Sequence, residues 1–152
     1  MFKKELIVAT FIFIASCVYL PANSEIIHFY QSETRKPYDD VLAELKIAIA
    51  EHNFRITGHS RVGKVIRERG TRPFPEYDTL QFCNLTHAKT LLQISPHAVS
   101  HMPCNIVTYQ FDNRTIIKTQ LLPTTTANIE LNQFSEKINH ILKQIVDFAV
   151  EE

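Results

Sequence analysis

Three glycines, two methionines and no tryptophan occur among the 152 residues, and these shortages remove whole classes of chemistry. A phosphate-cradling loop or a dinucleotide-binding turn needs several glycines at set spacing, which the chain lacks. It also has no G-x-S-x-G nucleophile elbow and no H-E-x-x-H zinc-protease helix. Net charge is absent as well: 16 basic residues balance 16 acidic ones, so the overall field steers the chain toward neither nucleic acid nor a cationic partner. Asp39 with Asp40, and Glu151 with Glu152, are neighbours in sequence and read as helix-end charges, not as a catalytic carboxylate pair. What is present is apolar content of 45%, enough for one packed domain.

The N-terminus reads as an export signal. Lys3 and Lys4 form a positive start, residues 6–20 form an apolar stretch broken only by Thr10 and Ser16, and Pro21 ends it. The stretch falls short of the roughly 20 residues that span a bilayer. Ala22 and Ser24 supply the small residues that a signal peptidase requires, which predicts cleavage after Ser24 and a mature domain over 25–152. The alternative is a lipobox-like Ile14, Ala15, Ser16 before Cys17, in which a lipidated Cys17 anchors the protein to a membrane; retention of the whole segment is a third case. Removing Lys3, Lys4 and Glu5 leaves the charge balance within one unit.

Along the mature chain, residues 26–33 alternate like a first strand. Pro37 and the acidic pair Asp39 and Asp40 open a helix whose apolar face repeats through Val41, Leu45, Ala48 and Ile49, with Asn53 as a left-handed cap. A strand over 54–59, a short basic helix over 61–69 ending at Gly70, and a proline-rich loop over 71–76 follow. Residues 79–83 read as a strand, and Thr86 caps a short helix to Leu92. After a connection over 96–103, residues 105–111 and 115–122 form a hairpin about Asp112, Asn113 and Arg114. Phe134, Ile138, Ile141, Ile145 and Phe148 mark an amphipathic helix over about 129–150. The order is β-α-β(4)-α, an α+β domain.

Four segments resemble the domain of unknown function 302 family, over residues 38–123. They are the helix leading into Asn53, Phe54 and Arg55; the stretch from His59 to Gly70; Leu80, Gln81, Phe82, Cys83 and Asn84; and Met102, Pro103 and Cys104. Leu85 stands where the family usually has proline, and Asn53 where it usually has glycine. The resemblance implies a TATA-binding-protein-like arrangement, a curved antiparallel sheet of about five strands backed by helices, often paired into dimers. It assigns no catalytic residue and implies no DNA binding.

Three sets of residues carry candidate chemistry. In an oxidising compartment Cys83, ending one strand, and Cys104, beginning the next, lie at one end of an antiparallel pair, which predicts a disulfide worth about 3 kcal/mol in the chain-entropy account. The alternative is a redox or metal-binding pair, with His97 and His101, four apart, completing a copper or zinc site beside His87 and Met102. Haem is possible on the same ligands, although no C-x-x-C-H motif exists. The plainer reading of the histidines is simple exposure. Arg61, Lys64, Arg67 and Arg69, with Arg72, form a basic cluster that reads either as a solvated helix face or as a site for phosphate or an acidic lipid headgroup. Asn84 and Asn113 head N-x-T triplets, relevant only in a host that glycosylates exported proteins.

These features predict an exported, periplasmic or secreted, non-enzymatic module that needs no cofactor and binds a small ligand or partner, through a homodimer or the concave sheet face. The alternatives are a thiol or metal role and anion binding. Intact mass spectrometry of the exported protein is expected to give a chain beginning at Glu25; a lipid adduct on Cys17 would replace that reading with membrane anchoring.

Overall fold

The computed structural model describes residues 27–151. The expected signal segment, its expected cleavage site and Cys17 lie outside them. Five strands, β1 (Phe29–Thr34), β2 (Arg55–Ser60), β3 (Tyr77–Cys83), β4 (Cys104–Phe111) and β5 (Arg114–Gln120), form one sheet in the order β1-β5-β4-β3-β2, every neighbour antiparallel. Four helices, α1 (Tyr38–Glu51), α2 (Val62–Glu68), α3 (Leu85–Ile94) and α4 (Ile129–Phe148), and a 3₁₀ turn at Pro96–His101 complete the chain. The expected α+β arrangement of a five-stranded antiparallel sheet backed by helices is therefore the observed one. Among the described residues no helix is long and apolar enough to cross a membrane.

Strand register decides which face is buried. Leu80 lies opposite Ile106, and Thr108 opposite Ile117, so these side chains share the face on which α1 and α4 pack side by side. Val41, Leu45 and Ile49 of α1 and Leu142, Ile145 and Val146 of α4 meet Leu80, Phe82, Ile106 and Ile117 in one core, each essentially without solvent contact. Burying each such side chain contributes about 1.5–3 kcal/mol. The opposite face carries Tyr77, Val107, Tyr109, Ile116 and Lys118. There Tyr77 and Tyr109 stack with centroids 5.9 Å apart.

Local signals explain most element ends. Asn53 takes φ of 59° after α1; its N–H bonds Ala50 O at 2.9 Å while Phe54 N bonds Ile49 O at 3.0 Å, so the two carbonyls are satisfied in a Schellman motif. Gly70, at φ of 103°, does the same for α2. Asp112 and Asn113 both have positive φ, giving a two-residue turn of the I′ kind, so Arg114 belongs to β5 and not to the turn.

Three expectations shift. Asn84, not Thr86, caps α3, its side chain accepting from Thr86 N and His87 N. The buried stripe of α4 runs through Leu131, Ser135, Ile138, Leu142 and Ile145, while Phe148 is exposed. Asn139 explains the rotation: its side chain accepts from Leu122 N at 2.7 Å and donates to Leu122 O at 2.9 Å, clamping that face of α4 to the end of β5. Finally, β3 starts at Tyr77, two residues before the expected start, because Asp78 can lie on the buried face.

Asp78 is 4% exposed, and its carboxylate is satisfied from three elements. Tyr38 OH, at the start of α1, lies 2.9 Å from Oδ2 and 2.8 Å from Thr108 O, sharing its proton between them. His59 Nε2 of β2 lies 2.6 Å from Oδ1, and Arg61 Nε 3.6 Å away adds charge. Tyr38→Phe removes the only donor common to Asp78 and Thr108 and is expected to cost about 1–3 kcal/mol in urea unfolding; an unchanged midpoint would show that the hydroxyl pins nothing.

Candidate functional site

A cleft of about 740 Å³ lies where three element ends meet. One wall is the segment Arg35, Lys36, Pro37 and Tyr38 that leads into α1; a second is the Pro73, Phe74, Pro75 loop; the third is the β4–β5 turn from Gln110 to Thr115. Each wall is held in place. Arg67 of α2 donates to Phe74 O at 2.9 Å and to Pro75 O at 3.2 Å and pairs with Glu76. Gln110 N donates to Glu76 O at 3.1 Å, which ties the loop to β4. Gly63 of α2 sits against the same loop so closely that a Cβ there would lie 2.5 Å from Pro75 O and 2.6 Å from Tyr77 N, so only glycine allows the approach. The Tyr38 wall is fixed by the Asp78 network. Burial and the Asp78 carboxylate push the Tyr38 phenol far above its ordinary range, so it stays protonated as a donor.

The cleft's electrostatics are lopsided. Arg35, Lys36 and Arg114 line it against the single carboxylate of Asp112. Lys36 pairs with Glu44 and donates to Glu151 O at 2.7 Å, and Arg114 pairs with Glu33. Arg35 makes no ion pair among the described residues. Phe111 is 68% exposed, a large apolar side chain facing water beside these charges.

The sequence model of the domain of unknown function DUF302 matches residues 30–149. The chain belongs to the DUF302 family. The match extends the resemblance seen in residues 38–123 at both ends, taking in β1 and α4. Among solved structures, the crystal structure of an uncharacterized conserved DUF302 protein from Bacillus stearothermophilus is similar, with a TM-score of 0.69 and 19% identity over 80% of this chain and 97% of that one. At that identity the likeness establishes the fold alone. No curated protein matches significantly.

Within this DUF302 fold the residues singled out by sequence do not assemble as expected. Cys83 and Cys104 are both free. Cys104 lies opposite Phe82, whereas Cys83 lies opposite Arg55 on the other neighbour, so the two residues are staggered by one position along the ladder. Both still border a void of about 20 Å³, with His87, His101 and Met102 around it, a space for one water and far too small for haem. His97 is exposed and outside it. The connection is 3₁₀, with three residues per turn, so His97 and His101 do not share a face as they would on an α-helix. Among the described residues no three His, Cys, Asp or Glu side chains form a set able to hold a metal ion, and a tetrahedral zinc site needs four ligands.

The basic cluster also disperses. Arg67 is committed to the proline loop, Lys64 pairs with Glu68 at 3.7 Å, Arg61 lies against Asp78, and Arg72 donates to Arg67 O at 3.2 Å. Arg69 is exposed, and neither it nor Arg72 has an acidic partner among the described residues. The cations that do converge, Arg35, Lys36 and Arg114, come from two segments some 80 residues apart in sequence, where no local pattern could reveal them.

Burial, with a contribution from Cys83, pushes the Cys104 thiol up to about 11 from 9.0. The folded state therefore holds this proton more tightly than the unfolded one, so the associated stability is whole below pH 9.0 and is lost as pH rises through about 11. Cys104→Ala is expected to flatten the fall of melting temperature in that window. An identical alkaline slope in the variant would rule out this thiol as the cause.

Proposed function

We propose that this DUF302 protein is an exported, non-enzymatic binding module of the cell envelope whose small-molecule ligand occupies the cleft between α1, the proline loop and the β4–β5 turn. The observation that carries the reading is the cleft itself. Its volume of about 740 Å³ falls within the range of small-ligand sites, and its walls combine apolar rings with a few convergent polar groups. Those polar groups are guanidinium, ammonium, amide and hydroxyl, with the single carboxylate of Asp112. The histidines and cysteines that would do acid–base or nucleophilic work lie elsewhere on the fold.

Preorganisation supports the same reading. Loops held by Arg67, Glu76 and Gln110 spend little entropy on closing round a ligand, because their order is established on folding. Export is supported by the N-terminal sequence.

A thermal-shift screen against a small-molecule panel tests this. A ligand that raises the melting temperature of the wild type is expected to lose that effect in Phe111→Asp, a substitution at an exposed position that spares the core. Ligands that stabilise both proteins equally would place the site away from the cleft.

A further inference from the structure

We infer that the cleft selects an organic monoanion with a planar apolar body, such as an aromatic carboxylate or sulfonate; the inference rests on the cleft being the ligand site. Three cations line it against one carboxylate, and two of the three, Lys36 and Arg114, have only one acidic partner each, Glu44 and Glu33, neither of which lines the cleft. A guanidinium carries five donors and an ammonium three, so both keep donors free for a ligand. Arg35 makes no ion pair among the described residues. A guanidinium fork matches the two oxygens of a carboxylate or sulfonate.

The body of the ligand follows from the rest of the lining. Phe74 and Phe111 supply aromatic rings to the lining, and Pro37, Pro73 and Pro75 supply apolar rings that have no N–H to donate. Phe74 is oriented by its own packing on Tyr77, ring centroids 5.7 Å apart, and by the Arg67 bond to its carbonyl. A planar ring gains more from such walls than a flexible aliphatic chain, which would lose rotamer freedom on binding. Asp112, at the turn, sets the charge limit: a second negative group reaching the turn end meets a carboxylate without a compensating cation of its own.

The test uses two dyes with a common aromatic body, 8-anilinonaphthalene-1-sulfonate, which is anionic, and N-phenyl-1-naphthylamine, which is neutral. Fluorescence titration of the mature protein is expected to show the anionic dye binding more tightly. Arg35→Glu is expected to weaken the anionic dye by about tenfold, equivalent to about 1.4 kcal/mol, and to leave the neutral dye unchanged. Phe111→Ser is expected to weaken both. Benzoate is expected to displace the anionic dye where inorganic phosphate at the same concentration does not. If Phe111→Ser lowers both affinities but Arg35→Glu changes neither, the cleft is a ligand site and the anion assignment is overturned. Displacement by phosphate as effective as by benzoate overturns the planar body. If Phe111→Ser affects neither dye, the cleft reading itself falls.

Discussion

A carboxylate cannot be buried alone, and the rest of this structure is arranged round that constraint at Asp78. Its position on the helix-facing side of β3 takes it out of water, where an unpaired charge would neutralise or unfold its surroundings. The chain answers with a phenol from the start of α1, an imidazole from the edge strand β2 and a guanidinium from the residue after it. Those partners fix three separate things. The Tyr38 bond sets where α1 begins and how it lies against β3 and β4. The His59 bond holds β2, which otherwise has only one neighbour, to the body of the sheet. Because the ring of Tyr38 also walls the cleft, the geometry of the candidate site inherits the rigidity of the network behind it.

The distribution of polar bonds follows the same logic elsewhere. Asn139 binds both backbone groups of Leu122 from inside α4, and Tyr30 donates to Asp147 at 2.6 Å, so the C-terminal helix is attached to β5 and β1 by specific bonds as well as by apolar packing. Apolar contact alone lets a helix slide; paired donors and acceptors choose one register. The cleft lies at the opposite kind of place, where elements end and connecting segments meet. There side chains are free of the core's demands, and a rigid scaffold positions them.

Much of the scaffold was legible because it depends on local chemistry. The proline and acidic start of α1, the asparagine that accepts positive φ after it, and the Asp112–Asn113 turn each act within a few residues. Most of what the sequence does not reveal is long-range. Asp78 lies between the loop and strand read from the sequence, and nothing nearby announces Tyr38, forty positions earlier, as its partner. Cys83 and Cys104 were correctly placed on adjacent strands, yet a stagger of one residue separates their side chains, and sequence does not resolve register to that accuracy. His97 and His101 depended on the pitch of the connection, which is 3₁₀. The basic cluster after β2 was visible as a run, whereas the cations that converge are split between the entry to α1 and the start of β5.

The stacked tyrosines of the helix-free face have an optical consequence. Without tryptophan, the near-ultraviolet absorption and emission of this protein come chiefly from tyrosine. Tyr30 and Tyr38 donate to carboxylates, an arrangement that quenches phenol emission through partial proton transfer in the excited state. Tyr77 and Tyr109 have no such partner and lie almost parallel, their rings 7° apart in plane, so their transitions couple. The fold thus concentrates its intrinsic light emission on one face of the sheet, beside the loop that walls the cleft, and the protein carries a native reporter for whatever approaches that side.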